Sequence, residues 1–575
     1  MRLLSRSAPA ALAVAALLAL PVATAAPVAS SAPGTSGANP AAAIVAARVP
    51  TAPGGGGGGG VATAEVATAS TLTVTTTVDD GSTGSLRDVI EHQATSPGGD
   101  TVVLAAGATY VLTCAEGGTI THGDSPLEIV GNGATITMDA ACEEGLLVNG
   151  EGALVIREVQ FAGLRLEPTT RITAIVRTDG PLALIGGRVA DNVVVAGSEV
   201  LDGFFYVTGA GPDAGLLVDG TVFAANDRTD DGDCGLFCAV GDVELRNASF
   251  TDTAVDTATG GCGAILCVTG DVGVIDTTIT ASTNTGTSHC GGLVCIDGDL
   301  RFTRSTIART SSTVTAPGSV CGGLVCTSAG VTLTDSVVLG TVADDSAEQQ
   351  CGAGLLCGGG DVDLVRSTVS GTRVTLTGSG DGNACGSMVC MRGGLTAVNS
   401  TVADNTTTGG ADLVGAWTFS EAIGFVYVTF AGNSGSGIPA LAPFDADHIT
   451  FTTFGSVLTG SGAGGTCSAG LTVTSQGYDF ADDPSCGLTG PGDVQQVGAD
   501  PQLGALADNG GPGPTMLPAV SSPLVDAVPA AACAAGQGIT VDERSLPRPS
   551  SLGPTCDIGA VELQPVPVVE PTFTG

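Results

Sequence analysis

Lysine is absent from this chain. All 19 basic residues are arginine, set against 57 acidic residues, for a formal net charge of −38. A surface this acidic repels nucleic acid and anionic membrane faces, and it works against acidic polysaccharides unless cations bridge. Keeping an exported protein in solution is the plainer use of such a charge. Aromatic residues make up only 3% of the chain, with one tryptophan, Trp417. No long amphipathic helical pattern occurs, and the one short stretch is Ser85–Gln93. Beyond the N-terminus no apolar run approaches the ~20 residues that span a bilayer. Histidine is scarce as well: His92, His122, His289 and His448. Only His289 adjoins a cysteine, Cys290, and it reads as an exposed turn residue rather than a ligand.

What is present is glycine, 88 residues of it, with much Thr and Val. That composition suits many short strands joined by tight turns and does not suit a helical bundle. Residues 1–26 have the form of a secretory signal: Arg2 and Arg6, an apolar stretch Ala10–Leu20, then Ala23-Thr24-Ala25 before cleavage. Residues 27–70 form a flexible Ala/Pro/Gly-rich linker that includes seven consecutive glycines, Gly54–Gly60. An oxidising destination makes disulfides the default for the 18 cysteines.

Six segments align without gaps over thirteen positions. They are CAVGDVELRNASF from Cys238, CVTGDVGVIDTTI from Cys267, CIDGDLRFTRSTI from Cys295, CTSAGVTLTDSVV from Cys326, CGGGDVDLVRSTV from Cys357 and CMRGGLTAVNSTV from Cys390. Each follows another cysteine by four to six residues: Cys234, Cys262, Cys290, Cys321, Cys351 and Cys385. The leading cysteines recur every 28 to 34 residues, a period that marks stacked supersecondary units. Within a unit, Val243 and Leu245 alternate with polar residues, as do Leu300 and Phe302. A polar break follows at Asn247, Asp276, Arg304, Asp335, Arg366 and Asn399. Then a second strand turns Phe250, Ile279, Ile307, Val338, Val369 or Val402 inward. One unit is one coil, and each strand pairs with its copy in the next coil at ~4.8 Å. The expected fold is an all-β, right-handed parallel β-helix of three sheets over residues 71–485, closed by a small cap-like C-terminal domain.

Three cysteine pairs lie outside the repeat: Cys114 with Cys142, Cys467 with Cys486, and Cys533 with Cys556. The other twelve can bridge in two ways. Equivalent cysteines of stacked strands have Cα atoms ~4.8 Å apart, within disulfide reach. Alternatively, each CGxxxC closes its own corner. The variable internal spacing and the constant joint occurrence of both cysteines favour closure within the unit.

The ends of the repeat carry a family resemblance. GSTGSLRDVIEHQATSPGGDTVVLAAGATYVLT, Gly81–Thr113, resembles the CSLREA-type N-terminal segment of bacterial surface β-helix proteins, with Gly84 where that family has its leading cysteine. CGLTGPGDVQQVGADPQLGALADNGGPGPTMLPAVSSPLVDA, from Cys486, resembles the choice-of-anchor Q domain, completed by VDERSLPRPSSLGPTCDIGAVE, Val541–Glu562. The resemblance implies a right-handed parallel β-helix that is secreted or displayed on the cell surface, with a C-terminal domain over 486–563 and a tail over 564–575. It implies no defined catalysis. LQPVPVVEPTFTG carries no LPxTG with an apolar tail, so release into the medium is expected over covalent sorting.

Parallel β-helices include polysaccharide lyases and glycoside hydrolases, so an enzyme is the alternative reading. Asp242, Asp271, Asp299 and Asp361 recur at one offset and stack down one corner. That column is the one place where calcium has a footing, although Gly-Asp before a strand is ordinary turn chemistry. NDRTDDGDCG, with Asp227, Asp230, Asp231 and Asp233, reads as a solvated acidic loop. Trp417, Phe419, Phe425 and Tyr427 read as a local core. Sequons at Asn247, Asn399 and Asn405 follow from the NST turn and need not be glycosylated. An enzyme would need a groove drawing on groups such as Asp363 and Arg366 near Arg301 and Arg304. No catalytic, cofactor-binding or metal-ligating set is assigned. The expected partner is a glycan or a cell-surface component.

Overall fold

The computed structural model describes residues 69–565 except 114–117, 140–144, 168–173, 196–202, 210–214, 231–234, 258–264, 287–293, 315–323, 346–355, 377–388, 410–416, 420, 436–438, 442–448 and 536–537. The chain is a right-handed parallel β-helix. Sheet I has 15 strands, from Ser70–Thr73 to Thr472–Ser475, and sheet II has 15, from Thr109–Leu112 to Val494–Gln495. Sheet III has nine, from Arg165–Leu166 to Thr406–Gly409, and sheet IV has 11, from Ile120–Thr121 to Trp417–Phe419.

A single coil shows how the residues make the path. Asp242–Arg246 lies in sheet I and turns Val243 and Leu245 into the core. Asn247 then adopts a left-handed backbone, as do Asp276, Arg304, Asp335, Arg366 and Asn399 at the same place in later coils, with φ between +45° and +51°. Those residues are the polar break, and the left-handed bend is the corner. Ser249–Thr251 continues in sheet II with Phe250 inward. A second left-handed residue, Asp252, turns the chain into Ala254–Thr257 of sheet III. Thus three sheets are joined by a fourth. Sheet III escapes the apolar pattern because its inward positions include Asn284, Ser312 and Thr407.

The core is a set of stacked columns. Val243, Val272, Leu300, Val331, Val362, Leu395 and Ile423 are successive register partners and all are buried. Where phenylalanines enter, they stack on one another: the Phe223 and Phe250 centroids are 4.7 Å apart. Hydroxyls line the inside of the first corner. Ser305, Ser336 and Ser367 each accept from the amide of the equivalent residue one coil earlier, at 3.1–3.2 Å. Each also donates to the carbonyl two residues back. These buried hydroxyls are therefore satisfied by the stacking itself.

Both ends are closed. The helical turns Leu86–Asp88 and Val89–Gln93 bury Leu86, Val89 and Ile90 against the first coils, with Ser85 capping the Asp88 amide. Leu471 and Leu488 complete the apolar column at the far end. The C-terminal region, expected as a cap, instead folds back along the outer face of sheet II. The outward-facing Thr368, Thr401 and Thr429 are buried beneath it. They bond to Pro514 and Glu543, to Glu543, and to Ala560 respectively. Flat rows of small side chains give that segment a surface to lie on. The Cys467–Cys486 and Cys533–Cys556 disulfides form as expected, while Cys114 and Cys142 lie outside the described residues.

Candidate functional site

The repeated Gly-Asp corner between sheets IV and I is the first candidate. Asp242 Oδ1 accepts from the Asp271 amide at 3.0 Å, and Asp271 Oδ1 accepts from the Asp299 amide at 2.9 Å. Asp299 Oδ1 accepts from the Gly330 amide at 3.0 Å, and Asp361 Oδ1 from the Gly394 amide at 2.7 Å. Each carboxylate therefore caps the turn of the next coil. The second oxygens of Asp271 and Asp299 both face Arg301, at 3.5 and 2.6 Å. Among the described residues no group of three or more His, Cys, Asp or Glu is arranged to hold a metal ion.

The corner between sheets I and II carries a second ladder. Arg304 reaches back to Asp276 through two bonds of 2.7 and 2.6 Å, and Arg366 reaches back to Asp335 through bonds of 2.6 and 2.9 Å. The Arg304 guanidinium holds the Asp276 carboxyl below its usual range, and Asp276 raises Arg304 in turn. Bidentate pairing offsets part of the cost of a left-handed arginine, which is about 1–2 kcal/mol. Asp363 is two strands along from Arg301 on the same column, with Thr332 between them. Burial, and then the charge of Asp361, push the Asp363 carboxyl up. Thus the residues that an enzyme would draw on do share one flank. Arg301 is occupied by Asp271 and Asp299, Arg304 by Asp276 and Arg366 by Asp335.

Sheet IV carries the cysteines. Cys238, Cys267, Cys295, Cys326 and Cys357 are successive register partners, continued by Cys390. Cys238 sits between the core residues Phe237 and Ala239, Cys267 between Leu266 and Val268, and Cys295 between Val294 and Ile296, so the column points to the outer face. All five are nevertheless buried, and all five are disulfide-bonded. Their leading cysteines lie outside the described residues. In the two preceding coils the same position holds Arg177 and Tyr206, with the guanidinium 5.5 Å from the ring centroid.

Asp227 and Asp230 belong to a sheet III strand, Asp227–Asp230, rather than to a loop, because Asp227 pairs in register with Val193 and Ala254; Asp231 and Asp233 are outside the described residues. Phe425 and Tyr427 are core residues, packed on Phe451 at 5.0 Å and Phe454 at 5.4 Å. Trp417 and Phe419 lie on the neighbouring sheet IV strand. His122 is buried between Asn149 at 2.8 Å and the Ala94 carbonyl at 3.1 Å, whereas His92 is exposed; His289 and His448 are not described. Asn399 donates to Val541, and Asn405 to Val369 and Asn433, so only the Asn247 sequon is open to solvent.

The sequence pattern did not flag a set of buried acids in the C-terminal segment. Glu543 and Glu562 are pushed up to about 8 and about 7 by burial, and Asp557 is raised for the same reason. The signal available was VDERSLPRP, where acids and arginines crowd together in an otherwise sparsely charged region.

No protein-family model matches the chain, and no curated protein does. Among solved structures, the mannuronan C-5 epimerase A-module of Azotobacter vinelandii is similar at 11% identity, covering 72% of this chain and 94% of that one with a TM-score of 0.24. The β-helix assignment stands on the chain's own strand register. Among the described residues no helix is long and apolar enough to cross a membrane.

Proposed function

We propose that this chain is an exported, non-catalytic β-helix scaffold, of the CSLREA and choice-of-anchor Q kind, whose flank binds a glycan or a component of a neighbouring cell surface. The observation that carries the reading is the use made of the recurring carboxylates. Each Asp of the Gly-Asp column spends an oxygen on the next coil's backbone, and the corner arginines are taken up by Asp276 and Asp335. The repeated polar chemistry holds coils together. Five bonded cysteines on the outer face of sheet IV fit an oxidising, extracellular destination. A signal over 1–26 and a linker over 27–70 fit the same destination. Calcium is not needed by this arrangement.

The test is a panel of neutral and acidic polysaccharides, with and without calcium, read for both binding and product. Binding without product supports the scaffold. Product formation that a chelator abolishes would establish the alternative, a polysaccharide lyase or hydrolase.

A further inference from the structure

The C-terminal segment meets the β-helix through carboxyl groups that outnumber their cations. Asp542, Glu543, Asp557 and Glu562 are all buried there, against Arg544 and Arg548. Arg544 is spent on Asp542, at 3.0 and 2.8 Å, and on the Glu562 carbonyl. Arg548 donates to the Asp557 and Gly559 carbonyls, lies 3.9 Å from Glu562 and covers the Tyr427 ring at 4.0 Å. Asp557 accepts from the Asp526 and Leu563 amides within its own segment.

Glu543 is the carboxyl that crosses to the flank. Thr368 Oγ1 and the Thr401 amide donate to its Oε1, at 3.0 and 3.2 Å, and its Oε2 lies against Thr401 Oγ1. Sheet II offers it hydroxyls and an amide, and no cation. The charge that bears on it from its own segment is Asp542, which is negative. An ionised Glu543 is thus a fully buried anion beside another anion, whereas the neutral acid can donate its own proton to the Thr401 hydroxyl.

We propose that the segment is a proton-dependent clasp, held on sheet II by the neutral form of Glu543 and loosened when that proton leaves. Opening uncovers the outer rows Thr368–Ser370, Thr401–Ala403 and Thr429–Ala431. Through Thr306–Ala308 and Val337–Leu339 it joins them to the open rows Ser249–Thr251 and Thr278–Thr280 as one continuous face. The inference does not depend on what the flank binds.

Burial raises the folded value of Glu543 above the ordinary 4.5, so docking is complete below that and weakens as pH rises toward about 8. Hydrogen exchange on the full chain reads it, as protection factors for amides 524–562 at pH 5 and pH 9. We expect protection to fall by a factor of ten or more there, while Val243–Ile307 amides stay protected. Glu543→Gln, a neutral isostere, keeps the clasp protected at pH 5 and removes most of the loss at pH 9, leaving only what Glu562 and Asp557 add. Asp479→Asn, which removes another buried carboxyl, leaves the wild-type loss intact. Equal protection at the two pH values in the wild type overturns the proposal. So does a Glu543→Gln chain that retains the loss or is unprotected at pH 5, or an Asp479→Asn chain that abolishes it.

Discussion

Gly298 shows how little room a stacked corner leaves. A β-carbon there would meet Asp271 Oδ1 and the Gly270 carbonyl oxygen, both at 2.5 Å. The atoms in the way are a neighbouring backbone and the carboxylate that caps the Asp299 amide beside Gly298, so neither can swing aside. Gly298→Ala should destabilise the chain by about 1–3 kcal/mol. Gly424→Ala is the control, because Gly424 faces outward on sheet I with nothing within 4 Å of its β-position. It should stay within about 0.5 kcal/mol of wild type. Urea midpoints at unchanged slope measure both. The cysteines pose a different question at this scale. Register alone would let Cys267 bond to Cys295, since they are strand partners. However, both cysteines of a unit always occur together, at a spacing of four to six residues that a bent corner tolerates better than a paired strand does. We expect digestion without reduction to yield Cys262 with Cys267 and Cys290 with Cys295. A peptide joining Cys267 to Cys295 would reverse that assignment. Loops this short are worth about 2 kcal/mol each in the chain-entropy account.

At the scale of the element, the last coil depends on Asp479. Its carboxyl accepts from Thr453 at 2.9 Å, the Ser456 amide at 2.8 Å and Ser475 at 2.7 Å. Burial outweighs those donors and pushes it up to about 7. The folded value exceeds the ordinary 3.8, so its contribution is whole in acid and is lost as pH rises through about 7. Asp479→Asn should therefore raise the urea midpoint at pH 8 and leave it nearly unchanged at pH 4. An asparagine keeps one acceptor for Thr453 and Ser456 and turns a donor toward Ser475. The elements differ in how plainly the sequence announces them. Sheets I and II are legible because Val243, Leu245 and Phe250 alternate with polar residues and the thirteen-position frame repeats. The Gly-Asp corner is legible as turn chemistry, and the carboxylates do cap turns. Sheet III is hidden because its inward column mixes Val255 and Val374 with Arg228, Asn284 and Ser312, so no steady apolar alternation marks it. The Asp276–Arg304 pair is hidden because its partners are a whole coil apart in the chain. The docked C-terminal segment is hidden too, since nothing distinguishes the covered Thr368 from the exposed Thr278.

For the whole molecule, the charge decides how the rod responds to salt. Acidic residues outnumber arginines 57 to 19, so most charged neighbours along the stack repel. Exceptions are Arg304 with Asp276, Arg366 with Asp335, Arg301 with Asp271 and Asp299, and Arg157 with Glu128, pairs that salt weakens. Exposed pairs are worth about 0–1 kcal/mol each. The screening length falls from about 30 Å at 0.01 M salt to under 10 Å in the physiological range. Coils sit ~4.8 Å apart, so at low salt each charge feels several coils on either side, and at high salt only its nearest ones. Repulsion acts over that longer reach, whereas the pairs act at contact. Raising sodium chloride from 0.01 to 0.5 M should therefore raise the thermal midpoint, and the rise should shrink at a pH low enough to neutralise the aspartates. Circular dichroism melts at both salts and two pH values measure this. A midpoint that falls with salt at neutral pH would mean that the Asp–Arg ladder, and not the overall acidity, governs how tightly the coils stack.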